Sequence, residues 1–158
     1  MIAKVFAIYT TDQPGSALNS VSEARLEPGR GLVGDRYQRR TGTFSETLKD
    51  THDWEITLIE AEEIQRFNDE QKTSLSPGAF RRNIVTSGVR LNDLVGRRFR
   101  VGASLLEGIR LCEPCAHLEK LTVAGIVKAM VHRAGLRARI VEAAVVRPGD
   151  PIEDSDPA

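Results

Sequence analysis

The 158-residue sequence has little cysteine and no long apolar run. Its only two cysteines, Cys112 and Cys115, lie too close together to form the disulfide framework of a small secreted protein. No stretch approaches the roughly 20 apolar residues that a membrane-spanning helix requires. The segment that begins at Met1 also lacks the basic region, hydrophobic segment and cleavage site of a secretion signal. We therefore expect a protein of the cytoplasm with no membrane partner.

An excess of one charge is also missing, because 22 lysine and arginine residues balance 22 aspartate and glutamate residues. A net charge of zero gives no electrostatic reason to expect a nucleic acid partner. Among the basic residues, however, arginine greatly outnumbers lysine. The planar guanidinium group suits bidentate contact with a phosphate or a carboxylate. The composition therefore favours a small anionic ligand over a nucleic acid.

Helical patterns are scarce, whereas short strand-like stretches bounded by glycine-rich turns are frequent. Apolar alternation and β-forming residues predict strands over 2–9, 24–26, 54–59, 82–86, 98–101, 104–111 and 137–146. Helical spacing predicts helices over 61–68 and 117–131, and a single turn over 91–95. Such a pattern is typical of a mainly β protein, a barrel or a sandwich. Because the chain has no linker, we expect one domain over 1–152 and a polar tail over 153–158.

Three glycines, Gly29, Gly31 and Gly34, have the G-x-G-x-x-G spacing of a dinucleotide-binding loop. Such a loop needs a buried strand before the first glycine and a helix that begins at the last, whose amides bind the pyrophosphate. Here Pro28 precedes the first glycine, and the residues after Gly34 are polar with no helical spacing of apolar side chains. The stretch is therefore not expected to bind a dinucleotide.

Reactive side chains are concentrated in LCEPCAHLEKL, residues 111–121, which contains Cys112 and Cys115. A thiol where a strand meets a helix is well placed to act as a thiolate that attacks or binds a metal. Three functional interpretations are open: a zinc site completed by His117 and His132, a redox-active dithiol, or one thiolate as the single protein ligand of a metal held by a cofactor. In a fourth interpretation both cysteines are merely buried residues.

Cationic and amide side chains come together in SPGAFRRNIVTSG, where a turn delivers Arg81, Arg82 and Asn83 at the start of a strand. Two guanidinium groups beside an amide fit an anionic, polar ligand. The alternative is an edge strand that its charges protect from unwanted pairing. In the glycine-rich loop, the adjacent Asp35 and Arg36 are predicted to form an ion pair that fixes the loop.

Taken in order, five segments resemble the MOSC domain family, which is named for the C-terminal domain of molybdenum cofactor sulfurases. They are GRGLVGDRY, DWEITLIEAEEI, SPGAFRRNIVTSGVRLNDLVGRRFRVG, LCEPCAHLEKL and HRAGLRARIVEAAVVRPGDPI. The resemblance covers nearly the whole chain. It implies a β-barrel with a few peripheral helices that binds a molybdenum cofactor of the molybdopterin type.

The resemblance also implies roles for individual residues. Cys115 corresponds to the cysteine that is the metal ligand and the catalytic residue. Arg81 and Asn83 correspond to residues near the pterin phosphate. Residues that match the family's early motif are implied to bind the cofactor as well: Gly34, Asp35 and Arg36.

Similar stand-alone bacterial members imply an oxidoreductase that reduces small N-hydroxylated compounds. Its electrons would come from a separate protein, since the chain has no flavin, haem or iron–sulfur signature. The chain has no room for the pyridoxal phosphate domain of the sulfurases, so desulfurase activity is not implied. The alternative is a binding module in which Cys115 holds sulfur or cofactor for delivery, without turnover. The sequence leaves open whether Arg81 or Arg82 contacts the ligand, and it indicates no oligomeric state.

Overall fold

The computed structural model describes residues 2–155, in which strands predominate. The strands are β1 Lys4–Thr10, β2 Asn19–Val21, β3 Ala24–Glu27, β4 Gly31–Leu32, β5 Ile56–Glu60, β6 Ile84–Ser87, β7 Arg98–Val101, β8 Ser104–Leu111, β9 Leu136–Glu142, β10 Ala144–Val146 and β11 Ile152–Asp154. The helices are α1 Ser45–Leu48, α2 Ala61–Gln71, α3 Ala116–Leu121 and α4 Ile126–Ala129, with 3-10 turns at Pro77–Phe80 and Leu91–Leu94. The prediction of a mainly β protein is confirmed.

Eight strands form one large mixed sheet in the order β11-β7-β8-β9-β5-β6-β1-β2. Among the strands of residues 2–155, only β5 and β6 pair in parallel, and α2 makes the crossover between them, as a parallel pair requires. The remaining strands form a small sheet in the order β10-β3-β4. Because β1 pairs with β6 and β3 pairs with β10, the first 30 or so residues are built into the same fold as the rest.

The predicted closed barrel is not confirmed. The beginning of β1 does meet the chain just before β11, through an isolated bridge between Lys4 and Pro151 and a hydrogen bond of 2.9 Å from the Ile152 amide to the Ala3 carbonyl. In residues 2–155, however, strand pairing does not continue round the sheet, whose end strands are β2 and β11.

Alternation along the central strands divides the core into two apolar clusters. Leu58 and Ile84 belong to one cluster, and the next residue of each strand, Ile59 or Val85, belongs to the other. Successive side chains of a strand point to opposite faces, which explains the division. Helices α2, α3 and α4 contribute buried side chains, including Phe67, to the second cluster. The centre of the sheet is therefore covered on both faces.

Two predicted elements are wrong in their extent. The helix predicted over 117–131 is interrupted between α3 and α4, where Gly125 has a φ of 92°. The strand predicted over 137–146 is divided into β9 and β10, which belong to different sheets. Strand β2, whose sequence NSV has no apolar alternation, was not predicted.

The predicted polar tail, 153–158, begins inside a strand, because β11 extends through Asp154. Residues 156–158 of that tail lie outside the described residues. None of the helices within residues 2–155 has the length and apolar character needed to span a lipid bilayer.

Candidate functional site

A cavity of about 250 Å³ opens where the start of β6, the end of β8, β9 and the loop between β4 and β5 meet. Its wall contains five arginines: Arg36, Arg81, Arg82, Arg110 and Arg137. Glu113 is the single carboxylate of the wall in the part of the chain that the structure describes. A cavity with this charge attracts an anion.

One nitrogen of the Arg81 side chain, in this wall, has no hydrogen-bond partner. It ends the 3-10 turn Pro77–Phe80 in a left-handed conformation, with φ of 64°, which is uncommon for a residue other than glycine. Its Nη1 donates to the Ser16 carbonyl at 2.6 Å, but its Nη2 is buried without a hydrogen-bond partner. Burial lowers the pKa of the Arg81 guanidinium, and the positive charge of Arg36 lowers it further. Arg81 Nη2 is therefore available to donate a hydrogen bond to an anionic ligand.

The next residue, Arg82, is buried and fully occupied. Its nitrogens donate to four backbone carbonyls, those of Ala134 at 2.9 Å, Phe80 at 3.3 Å, Cys112 at 3.1 Å and Glu113 at 3.4 Å. Arg82 thus ties the start of β6 to the cysteine segment and to the segment before β9. The sequence left open which of the two arginines contacts a ligand. In the structure Arg81 keeps an unpartnered donor, whereas Arg82 uses its donors to hold the backbone segments together.

Asn83 lies in the cavity wall, and its side chain joins three strands. Its Oδ1 accepts hydrogen bonds from the amide and the hydroxyl of Thr57 in β5, both at 3.3 Å. Its Nδ2 donates to the Tyr9 carbonyl in β1 at 3.3 Å. One hydrogen of the Nδ2 amide is left for a ligand.

Asp35 lies behind the wall, where it holds Arg36 in place. The predicted ion pair is present, with Arg36 Nη1 at 3.1 Å from Asp35 Oδ1. The buried Asp35 carboxylate also accepts hydrogen bonds from the Thr10 hydroxyl at 2.9 Å and the Tyr37 amide at 3.1 Å. Gly34, with φ of 93°, is not in the cavity wall. Of Gly34, Asp35 and Arg36, only Arg36 belongs to the cavity wall.

The other two glycines of the motif pack against Glu55, a buried residue that sequence reasoning missed. The Gly29 amide donates to the Glu55 carboxylate at 3.1 Å. A Cβ on Gly31 would lie 2.5 Å from the Glu55 carbonyl oxygen, a distance that no side chain tolerates. These glycines therefore let the loop approach the sheet closely, and no helix follows them.

The two cysteines lie in different surroundings. Cys112 belongs to the cavity wall but is buried, and its amide donates to the Gly135 carbonyl at 2.8 Å. Cys115 is only half-buried, begins helix α3 and contributes to the cavity wall. Both thiols are free. Of the two, Cys115 is the one that a ligand in the cavity reaches more readily.

His117 also lies in the wall, two residues after Cys115. Its Nε2 is 3.4 Å from the Thr43 hydroxyl, and its ring packs edge-on against Phe44. Burial lowers the pKa of His117, and so do the nearby positive charges of Arg81, Arg36 and Lys120. At neutral pH the ring is therefore neutral and adds no charge to the cavity.

The zinc interpretation finds no support among residues 2–155, where no three His, Cys, Asp or Glu side chains converge as metal ligands. His132 instead pairs with Glu113, at 2.6 Å between Nδ1 and Oε2. The exposed His132 is thus engaged outside the cavity.

Two further arginines of the wall were missed by sequence reasoning. Arg110 of β8 and Arg137 of β9 lie directly opposite each other in the antiparallel ladder, an arrangement that like charges destabilise. Arg110 forms a close ion pair with the buried Asp53. Burial alone would raise the pKa of Asp53, but hydrogen bonds from Thr51 and Arg110, with the charges of Arg110 and Arg137, hold it below its usual range.

Several solved structures resemble this chain over almost all of its length. The YuaD protein from Bacillus subtilis superposes with a TM-score of 0.81 at 18% identity, over 98% of this chain and 96% of that chain. YiiM from Geobacillus stearothermophilus gives 0.75 at 16% identity, over 98% and 75% of the two chains. YiiM from Escherichia coli gives 0.70 at 20% identity, over 100% and 71%. At these identities the likeness establishes the fold alone.

No curated protein sequence matches the chain. The MOSC domain family model, in contrast, matches residues 45–153, well over half of the sequence. The match begins at α1 and ends within β11, so it includes most of the cavity wall with Arg81 and Cys115. The chain belongs to the MOSC domain family.

Proposed function

We propose that the protein binds a molybdenum cofactor of the molybdopterin type in the arginine-rich cavity and uses it to reduce N-hydroxylated compounds. The observation that carries this proposal is the presence of Cys115, a half-buried thiol, and Arg81, a guanidinium with an unpartnered buried nitrogen, in one cavity wall. The MOSC domain family is associated with molybdenum cofactor binding.

The donor set fits such a group. A thiolate is a soft ligand that suits a metal already held by a cofactor. Arg81 and Arg36 supply the fork-shaped donors that a phosphate accepts, and the free hydrogen of the Asn83 amide adds a neutral donor. Asp35 and Gly34 act indirectly, because Asp35 orients Arg36 and Gly34 lets the loop turn.

When bound, the molybdenum centre supplies two-electron redox chemistry. The overall reaction is R–NH–OH + 2 e⁻ + 2 H⁺ → R–NH₂ + H₂O, in which the N–O bond breaks and its oxygen leaves as water. The electrons come from a separate flavin or iron–sulfur protein. The residues of this chain bind the anionic end of the cofactor, hold the metal through Cys115 and shield the site from solvent.

The metal content of the purified protein tests this proposal. Protein from a molybdenum-replete host is expected to contain molybdenum equimolar with the chain. Cys115→Ala is expected to lose the metal, and the matched control Cys112→Ala is expected to keep it, because both cysteines belong to the wall but Cys112 is buried and Cys115 is only half-buried. Zinc in place of molybdenum, or equal loss in both variants, would overturn the assignment.

Activity distinguishes turnover from delivery. With reduced methyl viologen as the electron donor, the molybdenum-containing protein is expected to convert a hydroxylamine or a hydroxylaminopurine to the amine. Protein that retains the cofactor but reduces neither compound would instead support the carrier alternative, in which Cys115 holds the cofactor or sulfur for transfer to a partner.

A further inference from the structure

A second cavity, of about 330 Å³, lies beside the first. The two cavities share three wall residues, Tyr37, Thr43 and Trp54. Small-molecule sites usually measure about 300 to 1,000 Å³, so each cavity alone is near or below the lower limit. The cofactor and its substrate together would therefore occupy both cavities.

Tyr37, one of the residues that separate the two cavities, is held in a fixed position. The Arg36 guanidinium lies over the Tyr37 ring, 4.7 Å from its centroid. A Cβ on Gly42 would lie 2.6 Å from the same ring, so the backbone at Gly42 packs closely against it. Tyr37 is thereby held between Arg36 and Gly42, and a planar group that passes between the cavities meets Tyr37 and Trp54.

The wall of the second cavity contains two cations, Arg40 and Lys49, one carboxylate, Glu46, and the hydroxyl of Ser45. Arg40 has no ion pair with any carboxylate in residues 2–155, whereas Lys49 pairs with the exposed Glu46 at 2.7 Å. The Ser45 hydroxyl is buried there without a hydrogen-bond partner. Buried polar groups of folded proteins nearly always have partners. Since Lys49 and Glu46 neutralise each other, the exposed Arg40 supplies the net positive charge of this wall, and the Ser45 hydroxyl supplies a hydrogen-bonding group without a partner.

We propose that the second cavity binds the anionic substituent, a phosphate or a carboxylate, of a planar substrate whose reactive end lies in the first cavity. This inference rests on the proposed function and specifies its substrate class. The preferred substrates are N-hydroxylated aromatic compounds that carry an acidic group, such as the monophosphate of an N-hydroxylated nucleoside, rather than the neutral base or nucleoside.

Binding of unreactive analogues tests the inference without any turnover. Trp54 is the only tryptophan of the chain, so its fluorescence reports occupancy of the partition between the cavities. Adenosine 5′-monophosphate is expected to bind with a Kd about tenfold lower than that of adenosine, because only the nucleotide has an anion to place near Arg40. The preference is expected in protein with and without molybdenum.

Two neighbouring arginines provide the matched variants. Arg40→Gln is expected to remove most of the preference for the nucleotide and to leave the Kd of adenosine within about twofold. Arg39→Gln is expected to keep the preference, since Arg39 is exposed and belongs to the wall of neither cavity. Ser45→Ala is expected to weaken nucleotide binding by a smaller factor.

The outcomes separate this inference from the proposed function. Equal affinity for nucleotide and nucleoside would overturn the inference. A preference that survives Arg40→Gln but is lost in Arg81→Ala would also overturn it, because the phosphate would then lie in the first cavity. A preference seen only without molybdenum would overturn it as well, because the cofactor itself would then fill the anion site. Absence of molybdenum from every preparation would contradict the proposed function and leave the fluorescence result standing.

With N6-hydroxyadenosine and its 5′-monophosphate as substrates and reduced methyl viologen as the donor, the monophosphate is expected to have a kcat/KM about tenfold higher. Arg40→Gln is expected to reduce that ratio through KM rather than kcat, since a remote anion contact contributes to binding in the ground state and in the transition state alike. Equal kcat/KM values in the wild type would contradict the inference.

Discussion

The cavity wall differs from the layer of side chains directly behind it in how its polar groups are used. Behind the wall, Asp35 and Glu55 are buried and each accepts several hydrogen bonds, and Arg82, a buried residue of the wall itself, donates to four backbone carbonyls. In the wall, Arg81 has an unpartnered nitrogen, and Arg137 makes no ion pair with the described residues. Satisfied polar groups hold the loops in place, and unsatisfied ones are available to a ligand.

The comparison extends to neighbours in the sequence. Arg81 and Arg82 are adjacent, and Cys112 and Cys115 are three positions apart, yet in each pair one member has a framework position and the other has the more open position in the wall. The two members of each pair are of the same residue type, so residue type does not explain the difference. The left-handed backbone at Arg81 and the position of Cys115 directly before α3 explain it.

The largest effect on stability is expected from Arg82→Ala. This change leaves four backbone carbonyls without their donor, and each buried unsatisfied acceptor is costly. We expect the free energy of unfolding in urea to fall by at least about 3 kcal/mol. Arg81→Ala is expected to change it by less than about 1 kcal/mol and to lower the molybdenum content instead. Similar stability losses in the two variants would remove the distinction between wall and framework.

Gly31→Ala is expected to have the next largest effect. The new Cβ would meet the Glu55 carbonyl oxygen at 2.5 Å with φ at 79°, so loop and sheet must separate, at a cost of about 2 kcal/mol. Gly34→Ala is the control, because a Cβ there meets nothing within 4 Å and only the positive φ is penalised, by about 1 kcal/mol. Chemical denaturation of both variants measures the difference, and equal losses would mean that close packing on Glu55 contributes nothing.

The stability that the buried Asp53 contributes is expected to depend on pH. Its pKa is lower in the folded protein than in the unfolded chain, so its charged form adds stability above the usual aspartate pKa of about 3.9, and this contribution is lost as the pH falls further. Asp53→Asn is therefore expected to be less stable than the wild type at pH 6, with a difference that shrinks towards pH 3. Asp50→Asn, an exposed change in the same loop, is the control. A difference that does not vary with pH would contradict this role of Asp53.

Local pattern was enough to predict most of the strands but not their partners. The predicted bounds of β7 and β8 agree with the structure, because each has apolar alternation and a glycine lies in the turn between them. The helix predicted over 117–131 fails at Gly125, where a left-handed residue redirects the chain. The two parts of the strand predicted over 137–146 join different sheets, a choice made by tertiary pairing.

The same limit applies to the site. Four residues named from the family resemblance lie in the cavity wall, and they are Arg36, Arg81, Asn83 and Cys115. The wall positions of Arg110 and Arg137 depend on the register of β8 against β9, which no single segment of sequence specifies. Glu55 was missed because its partners, Gly29 and Ile140, are far away in the sequence.

The smallest effect, and one of opposite sign, is expected from Arg137→Gln. Arg137 lies opposite Arg110 in the β8–β9 ladder. Its attraction to Asp53 is the smallest of the contributions that lower the pKa of Asp53, so we expect the relief of repulsion to dominate and to stabilise the protein by about 0.5 kcal/mol. The same change removes a cation from the wall, and we expect the molybdenum content to fall. Arg139→Gln in the same strand is the control, because Arg139 pairs with Glu107 at 3.0 Å and lies outside the wall; its loss should stabilise nothing and leave the metal bound. A residue whose role is to bind a ligand is expected to reduce stability while the ligand is absent. If Arg137→Gln instead destabilised the protein, Arg137 would be one of the residues that hold the structure together.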